Sequence, residues 1–234
     1  TVDGWTSTNV NLVRVMTNHL GRVAALAFST DGLRLASGGV EGSNVVRQVS
    51  NGALLTHRAA YNTTVGPAAA TSLAFSPAGF LASGCDDNTL RVWNSSWTQV
   101  WSTNTAHSSN VTAVAFSPNG ALLASAGLDQ TIRLWSATNW VLLNTLVGHT
   151  SAVTSISFSP DGNTLAAGDA NGFVKLWNVV IGTCSITIAA HSNAVTSLAF
   201  SPAVTSVVSG GEDNCVKRWS PIDGSLIQIP GGHV

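Results

Sequence analysis

Six-residue stretches in which apolar and small polar side chains alternate return along the chain. They are "VAALAF" (23–28), "ATSLAF" (70–75), "VTAVAF" (111–116), "VTSISF" (153–158) and "VTSLAF" (195–200). Period-two alternation, enriched in β-branched residues, predicts half-buried strands. Turn signals such as "SPNG" (117–120) and "SPDG" (159–162) follow directly; Pro presets φ there and Gly accepts positive φ. In the third unit a short apolar run comes next, "LLASAG" (122–127), then "TIRLW" (131–135) and "WVLLNTLV" (140–147). Each unit thus predicts four short antiparallel strands, and the chain as a whole is all-β.

The pattern is periodic. The Phe residues that end the first strands, Phe28, Phe75, Phe116, Phe158 and Phe200, are spaced by 47, 41, 42 and 42 residues. His107, His149, His191 and His233 are each 42 residues apart, in the same phase. Four short strands cannot bury both of their faces alone, so the units must stack on one another.

The His, the "FSPDG" turn, the "LASAG" strand and the "D-x-T-I-R-L-W" run ending in Trp135 together resemble the WD-repeat β-propeller family. The resemblance covers essentially the whole chain. It implies one domain over 1–234, a β-propeller of four-stranded antiparallel blades around a central channel. The repeat phase divides it into units of about 19–65, 66–106, 107–148, 149–190 and 191–232. These are five full sets of four strands, preceded at 1–18 by a two-strand half blade, with "TVDGW" as a third strand and "LVRVMT" as a fourth. The last residues, "GGHV", reach the start of a further unit, so the two ends hold unmatched parts of one blade. Closure is expected to come from a longer chain, from an imperfect five-blade ring, or from another copy, because an open strand edge is a template for pairing. The Asp that usually follows the family's Trp is replaced by Asn94, Ser136, Asn178 and Ser220.

The resemblance also implies hydrogen-bonded tetrads: His107, Ser125, Asp129 and Trp135 in one unit, His191, Ser209, Asp213 and Trp219 in another. A buried imidazole needs a partner at each nitrogen and an indole N–H needs an acceptor, and a satisfied network rigidifies its unit. A Ser-His-Asp hydrolase is the sharper alternative. Recurrence speaks against it, since catalysis needs one constellation whereas every blade needs its own brace, and no nucleophile elbow accompanies either Ser. The other units depart from the set. The second has Ser83, Asp87 and Trp93, with Gly66 at the His position. The fourth keeps His149 and Trp177 but has Ala167 and Asn171. The first keeps His19 and Ser37, with Gly42 and Gln48 at the Asp and Trp positions, and is expected to be the loosest blade.

Composition narrows the partners. Only 9% of residues are charged and the formal net charge is −1, against about 25% charged in an ordinary soluble domain. No basic footprint for nucleic acid exists, and no apolar run is long enough for membrane insertion. Cys85, Cys184 and Cys215 form no CxxC pair and read as small buried hydrophobes, with a Cys184–Cys215 bridge as the alternative. No zinc-ligand spacing and no phosphate-binding loop is present, and no cofactor is expected.

Departures from the repeat are candidate contact sites. The stretch "THRAAYNTTVGPAAA" (56–70) contains the extra residues of the 47-residue spacing and is expected to place His57, Arg58 and Tyr61 on a loop, suited to an interface or to nothing more than a tolerated insertion. Trp97 and Trp140 are expected in the fourth, outermost strands of two successive units, where they either form a contact stripe or pack at the edge of the core. Trp101 aligns with Leu143 and is expected to point inward. Asn62, Asn94 and Asn110 begin N-x-[ST] sequons, which permit glycans; Asn, Ser and Thr are so abundant that chance supplies as many.

Two functions remain from this reading. One is a non-enzymatic scaffold that binds protein or peptide partners through loop faces, as the resemblance implies. The other is a structural, self-assembling element, filamentous and extracellular, joined to copies of itself through its end strands. Localisation leans to the extracellular space or cell surface on the charge-poor composition, with the cytoplasm as the alternative that the resemblance implies.

Overall fold

The computed structural model describes residues 2–5, 12–59, 61–62 and 66–228, with side chains from 15 to 58 and from 68 to 228. The chain opens on an antiparallel ribbon of β1 (Val2–Trp5) and β2 (Leu12–Met16). Blade 1 follows as β3 (Val23–Phe28), β4 (Arg34–Gly39), β5 (Ser43–Gln48) and β6 (Leu54–Ala59). A small ribbon of β7 (Tyr61–Asn62) and β8 (Gly66–Pro67) sits in the inserted stretch. Blade 2 is β9 (Ala70–Phe75), β10 (Leu81–Cys85), β11 (Leu90–Trp93) and β12 (Gln99–Thr103). Blade 3 is β13 (Val111–Phe116), β14 (Leu122–Gly127), β15 (Thr131–Ser136) and β16 (Leu142–Val147). Blade 4 is β17 (Val153–Phe158), β18 (Thr164–Asp169), β19 (Phe173–Asn178) and β20 (Thr183–Ala189). Blade 5 is β21 (Val195–Phe200), β22 (Val207–Gly211), β23 (Val216–Trp219) and β24 (Leu226–Gln228). Each blade is a meander in which sequential strands pair antiparallel.

The core lies between blades. The first strands pack in succession, β3 beside β9, β9 beside β13, β13 beside β17 and β17 beside β21. Four apolar layers result. In the layer between blades 1 and 2, Ala36 and Val46 meet Leu73 and Phe75; between blades 3 and 4, Leu134 and Leu146 meet Ile156 and Phe158. This is why neither face of a middle blade alternates to water: β14 and β18 are buried along nearly their whole length.

A repeated Thr staples the blades together. Thr71, Thr112 and Thr154 donate their hydroxyls to the carbonyls of Val111, Val153 and Val195 in the next blade, each at 2.5 Å. Blade 1 has Ala24 at this position and makes no such bond. Its outer flank is also uncovered. Leu26 and Phe28 are 55% and 62% exposed, whereas Leu73 and Phe75, at the same register in blade 2, are each 7% exposed.

Two expectations are corrected here. His57 and Arg58 lie on the edge strand β6, where they pair with Val45 and Asn44 of β5, and not on a loop. They belong to the ordinary fourth strand, in which Ser43 pairs with Ala59 as Thr131 pairs with Val147 in blade 3. Trp97 and Trp140 lie in the turns before β12 and β16, not in the fourth strands, with φ of 62° and 61°.

Candidate functional site

In blade 3, His107 enters from the loop before β13 and its ring lies under the turn between β14 and β15. Its Nδ1 is 2.9 Å from Asp129 Oδ1, and its Nε2 is 2.9 Å from Ser125 Oγ. A carboxylate only accepts, so Nδ1 carries the proton and donates it, and Nε2 accepts the Ser125 hydroxyl. Trp135 Nε1 then donates to Ser125 Oγ at 3.0 Å. Blade 5 repeats the arrangement: His191 Nδ1 to Asp213 at 2.7 Å, Ser209 to His191 Nε2 at 2.7 Å, and Trp219 Nε1 to Ser209 at 2.8 Å. The chain ties the loop before the first strand to the second and third strands of the same blade.

The electrostatics suit a neutral imidazole beside a carboxylate. Burial lowers the His107 pKa below its ordinary value and outweighs the upward pull of Asp129. For Asp129, burial works upward but is outweighed by hydrogen bonds from His107 and the Ser108 amide, which bring it down to about 2. Asp213 is brought to about 2 in the same way, against burial, by His191, the Ser192 amide and Lys217.

These distances also match a catalytic triad, but the setting does not. Ser125 and Ser209 have no exposed surface. Each hydroxyl is committed to an imidazole on one side and receives an indole N–H on the other. A nucleophile must reach a substrate carbonyl, and these side chains are enclosed by their own blades.

The remaining blades build variants of the set. In blade 1 the residue at the Asp position is Glu41, not Gly42, and Arg47 rather than Gln48 stands at the Trp position. His19 Nδ1 donates to Glu41 Oε1 at 2.6 Å, and Ser37 Oγ is 2.8 Å from Nε2. Burial pushes Glu41 upward, but hydrogen bonds from Ser43 and His19 outweigh it and hold it at about 2. Arg47 takes the indole's place and reaches out to the carbonyls of Gly52 and Thr17.

In blade 4, Asn171 is not the partner of His149. The carboxylate comes from Asp169, whose Oδ2 is 2.8 Å from His149 Nδ1. Asp169 ends β18 and pairs with Val153, the register that Gly127 holds against Val111 and Gly211 against Val195. A Cβ built on Gly127 would point straight at His107 and Asp129. A side chain at that register therefore reaches the imidazole from the strand end, and the departure from Gly in "GDAN" (168–171) is the signal that sequence reading passed over. Ala167 replaces the bridging Ser, and both His149 Nε2 and Trp177 Nε1 are buried without a partner.

Blade 2 substitutes an ion pair. Cys85 occupies the same strand-end register, and Arg91, 5% exposed, donates to Cys85 Sγ and to Asp87 Oδ2, both at 2.9 Å. Burial pushes the Cys85 thiol upward against the pull of Arg91. Cys85, Cys184 and Cys215 are all free thiols, so the alternative of a Cys184–Cys215 bridge does not hold, and Cys184 is exposed rather than buried.

Of the candidate contact residues, His57 and Arg58 are exposed on β6; the side chains of Tyr61 and Asn62 lie outside those described. Trp97 is half-buried edge-on to Phe75, with centroids 6.4 Å apart, and Arg34 sits 5.9 Å over both rings. Trp140 reaches across to blade 2, stacked on Trp101 at 5.7 Å and edge-on to Phe80 at 5.5 Å. Trp101 is half-buried, edge-on to Trp135 at 5.3 Å; by strand pairing its counterpart in blade 3 is Asn144, not Leu143. Asn94 caps its turn, accepting from the amides of Ser96 and Thr98, and the Asn110 carbonyl accepts the Leu128 amide; both side chains are part-exposed.

The family model for the WD domain, G-beta repeat, matches the chain five times, over residues 10–46, 61–94, 98–136, 140–178 and 182–220. No curated protein matches it.

Proposed function

The chain belongs to the WD-repeat family, and from that membership we propose that it is a scaffold holding a protein or peptide partner on surfaces of its blades. Domains of this family generally mediate protein–protein interaction and are generally not enzymes. The observation that carries the reading is that the polar chemistry is spent internally: the His, Ser, Asp and Trp side chains of blades 3 and 5 are enclosed and saturated by one another. They brace a rigid frame, and rigid frames present variable turns and edge strands for recognition. The candidates for contact are His57 and Arg58 on β6 and the exposed turns between strands. No nucleic-acid or membrane partner is proposed, since the charge balance lacks a basic face.

The test is crosslinking of the chain with proteins of its source, followed by reconstitution of the pair from purified components. A partner that binds the purified chain, and whose affinity falls with substitutions of exposed turn residues, supports the scaffold. Turnover of an ester or amide substrate that is lost in Ser125→Ala or Ser209→Ala without loss of stability overturns it.

A second reading is favoured by one observation: the uncovered flank of blade 1 at Leu26 and Phe28. There the proposal is self-association, with copies joined through that flank as a structural element. Sedimentation of the wild-type chain against Phe28→Asp separates the two: a concentration-dependent assembly that the substitution dissolves supports assembly, and a monomer throughout opposes it.

A further inference from the structure

The turn before each fourth strand needs one residue at positive φ. Three blades supply Gly there, Gly52, Gly182 and Gly224, at φ of 72°, 72° and 74°. Blades 2 and 3 supply Trp97 and Trp140. A bulky residue at positive φ is strained, so these two turns hold Trp because of what the indole contacts. Trp140 crosses to blade 2 and lies against Phe80 and Trp101. Its ring therefore fills the outer space between two neighbouring blades.

The same space between blades 3 and 4 is open. It forms a cleft of about 400 Å³ lined by Leu122, Leu134, Leu143, Asn144, Val179 and Val180, within the range of ligand clefts. Strand pairing makes the correspondence residue by residue. Leu122 precedes the Leu123↔Trp135 pair as Phe80 precedes Leu81↔Trp93, and Asn144 pairs with Leu134 as Trp101 pairs with Val92. Thus the two residues that hold the Trp140 indole in one cleft have counterparts lining the other, and the residue that would bring an indole is Gly182. The rim offers accessible apolar surface, Val180 at 80% and Leu143 at 58% exposed, beside the exposed polar side chains of Asn119 and Asn163. Asp161 also lines the cleft, and no Lys, Arg or His pairs with it among the described residues.

We infer that the cleft between blades 3 and 4 is a docking site for a peptide segment that inserts an aromatic side chain, best a Trp, flanked by a Lys or Arg. The inserted ring takes the place that Trp140 takes between blades 2 and 3, on Leu122, Leu134 and Asn144. The flanking cation meets Asp161, the only ionisable group among the lining residues. This deepens the scaffold reading and rests on it, by assigning one surface and the chemistry of its occupant.

The experiment uses the whole chain with methyl-labelled Leu and Val and the probe Ac-Lys-Trp-Lys-NH2. Saturable shifts at Leu122, Leu134, Leu143, Val179 and Val180 are expected, with dissociation in the roughly millimolar range for so small an anchor. Ac-Lys-Ala-Lys-NH2 is expected to bind at least about tenfold more weakly, and Ac-Glu-Trp-Glu-NH2 to be weakened at low salt and less so at high salt. Two variants fill the cleft from within: Gly182→Trp, which copies Trp140 and displaces the Asn144 amide, and Asn144→Trp, which copies Trp101 and leaves the turn alone. Either one, with an unchanged thermal midpoint, is expected to abolish the shifts. Shifts that do not saturate, that are equal for the Ala probe, or that persist in a folded filled variant overturn the inference. Should both variants unfold, the comparison of Trp and Ala probes on the wild-type chain decides. A protein partner that binds the filled variants undiminished leaves the scaffold reading standing and removes this cleft from it; probe binding by a chain that takes no protein partner does the reverse.

Discussion

His149 donates to Asp169 at 2.8 Å from a separation of 20 residues, whereas the imidazoles of blades 1, 3 and 5 find their carboxylates 22 residues on. The carboxylate has moved from the turn to the strand end and still meets the same ring nitrogen. What it does not restore is the far side of the ring, where Ala167 leaves His149 Nε2 and Trp177 Nε1 without partners.

Ala167→Ser is therefore expected to stabilise the chain. Ser125, at the same register in blade 3, bridges the imidazole and the indole. Restoring one hydroxyl satisfies two buried nitrogens, which is expected to be worth about 1–3 kcal/mol, and Ser125→Ala is expected to cost about as much. Urea midpoints of the two variants check this; an unchanged or lower midpoint for Ala167→Ser goes against it.

Blade 2 depends on its ion pair in place of an imidazole. The Arg91 and Asp87 side chains are 6% and 10% exposed at 2.9 Å. Asp87→Ala strands a buried guanidinium and is expected to cost about 3–5 kcal/mol, more than removing any surface carboxylate. The double variant with Arg91→Met is expected to recover part of that loss, because no buried charge is then left unpaired. A double-mutant cycle in urea measures both.

Stability is expected to fall on acidification. His107 and His149 are held below their ordinary 6.5 by burial, so the unfolded chain takes up protons that the folded chain resists, and stability declines as pH drops below about 6.5. Asp129 and Asp213 are held at about 2 against an ordinary 3.8, and Glu41 at about 2 against 4.5. Their contribution is present above the ordinary values and is lost as pH falls toward about 2. Both groups act in the same direction. The urea midpoint should fall from about pH 7 to 5 and again below about pH 4.5, and a midpoint that rises over the first interval contradicts the assignment of neutral, buried imidazoles.

Blade 1 is expected to open most readily. It retains the His19–Ser37 and His19–Glu41 bonds, but it lacks the indole, lacks the Thr staple that blades 2, 3 and 4 extend to their neighbours, and exposes Leu26 and Phe28. Amide exchange in β4 should be faster than in β14 by roughly tenfold or more. Equal protection in the two strands speaks against this.

The strands and their grouping were legible in the amino-acid sequence alone because both are written locally. Alternation in "VTAVAF" and "VTSISF", the Pro and Gly of the turns, and a 42-residue phase between His107, His149 and His191 determine four-stranded units that must stack. The tetrads of blades 3 and 5 sit at constant separations for the same reason: where the repeat is undisturbed, sequence distance stands in for spatial distance. Tertiary structure decided the rest. Glu41 still follows the repeat, 22 residues from His19, but Asp169 reaches His149 from a separation of 20 because a strand end lies beside the ring; that hydrogen bond is chosen by proximity across strands, which no one-dimensional register records. The same holds for Trp140 and Gly182. In the chain they are an odd Trp and an ordinary Gly in two turns. Only the packing of one blade against the next shows that the first fills a space which the second leaves open.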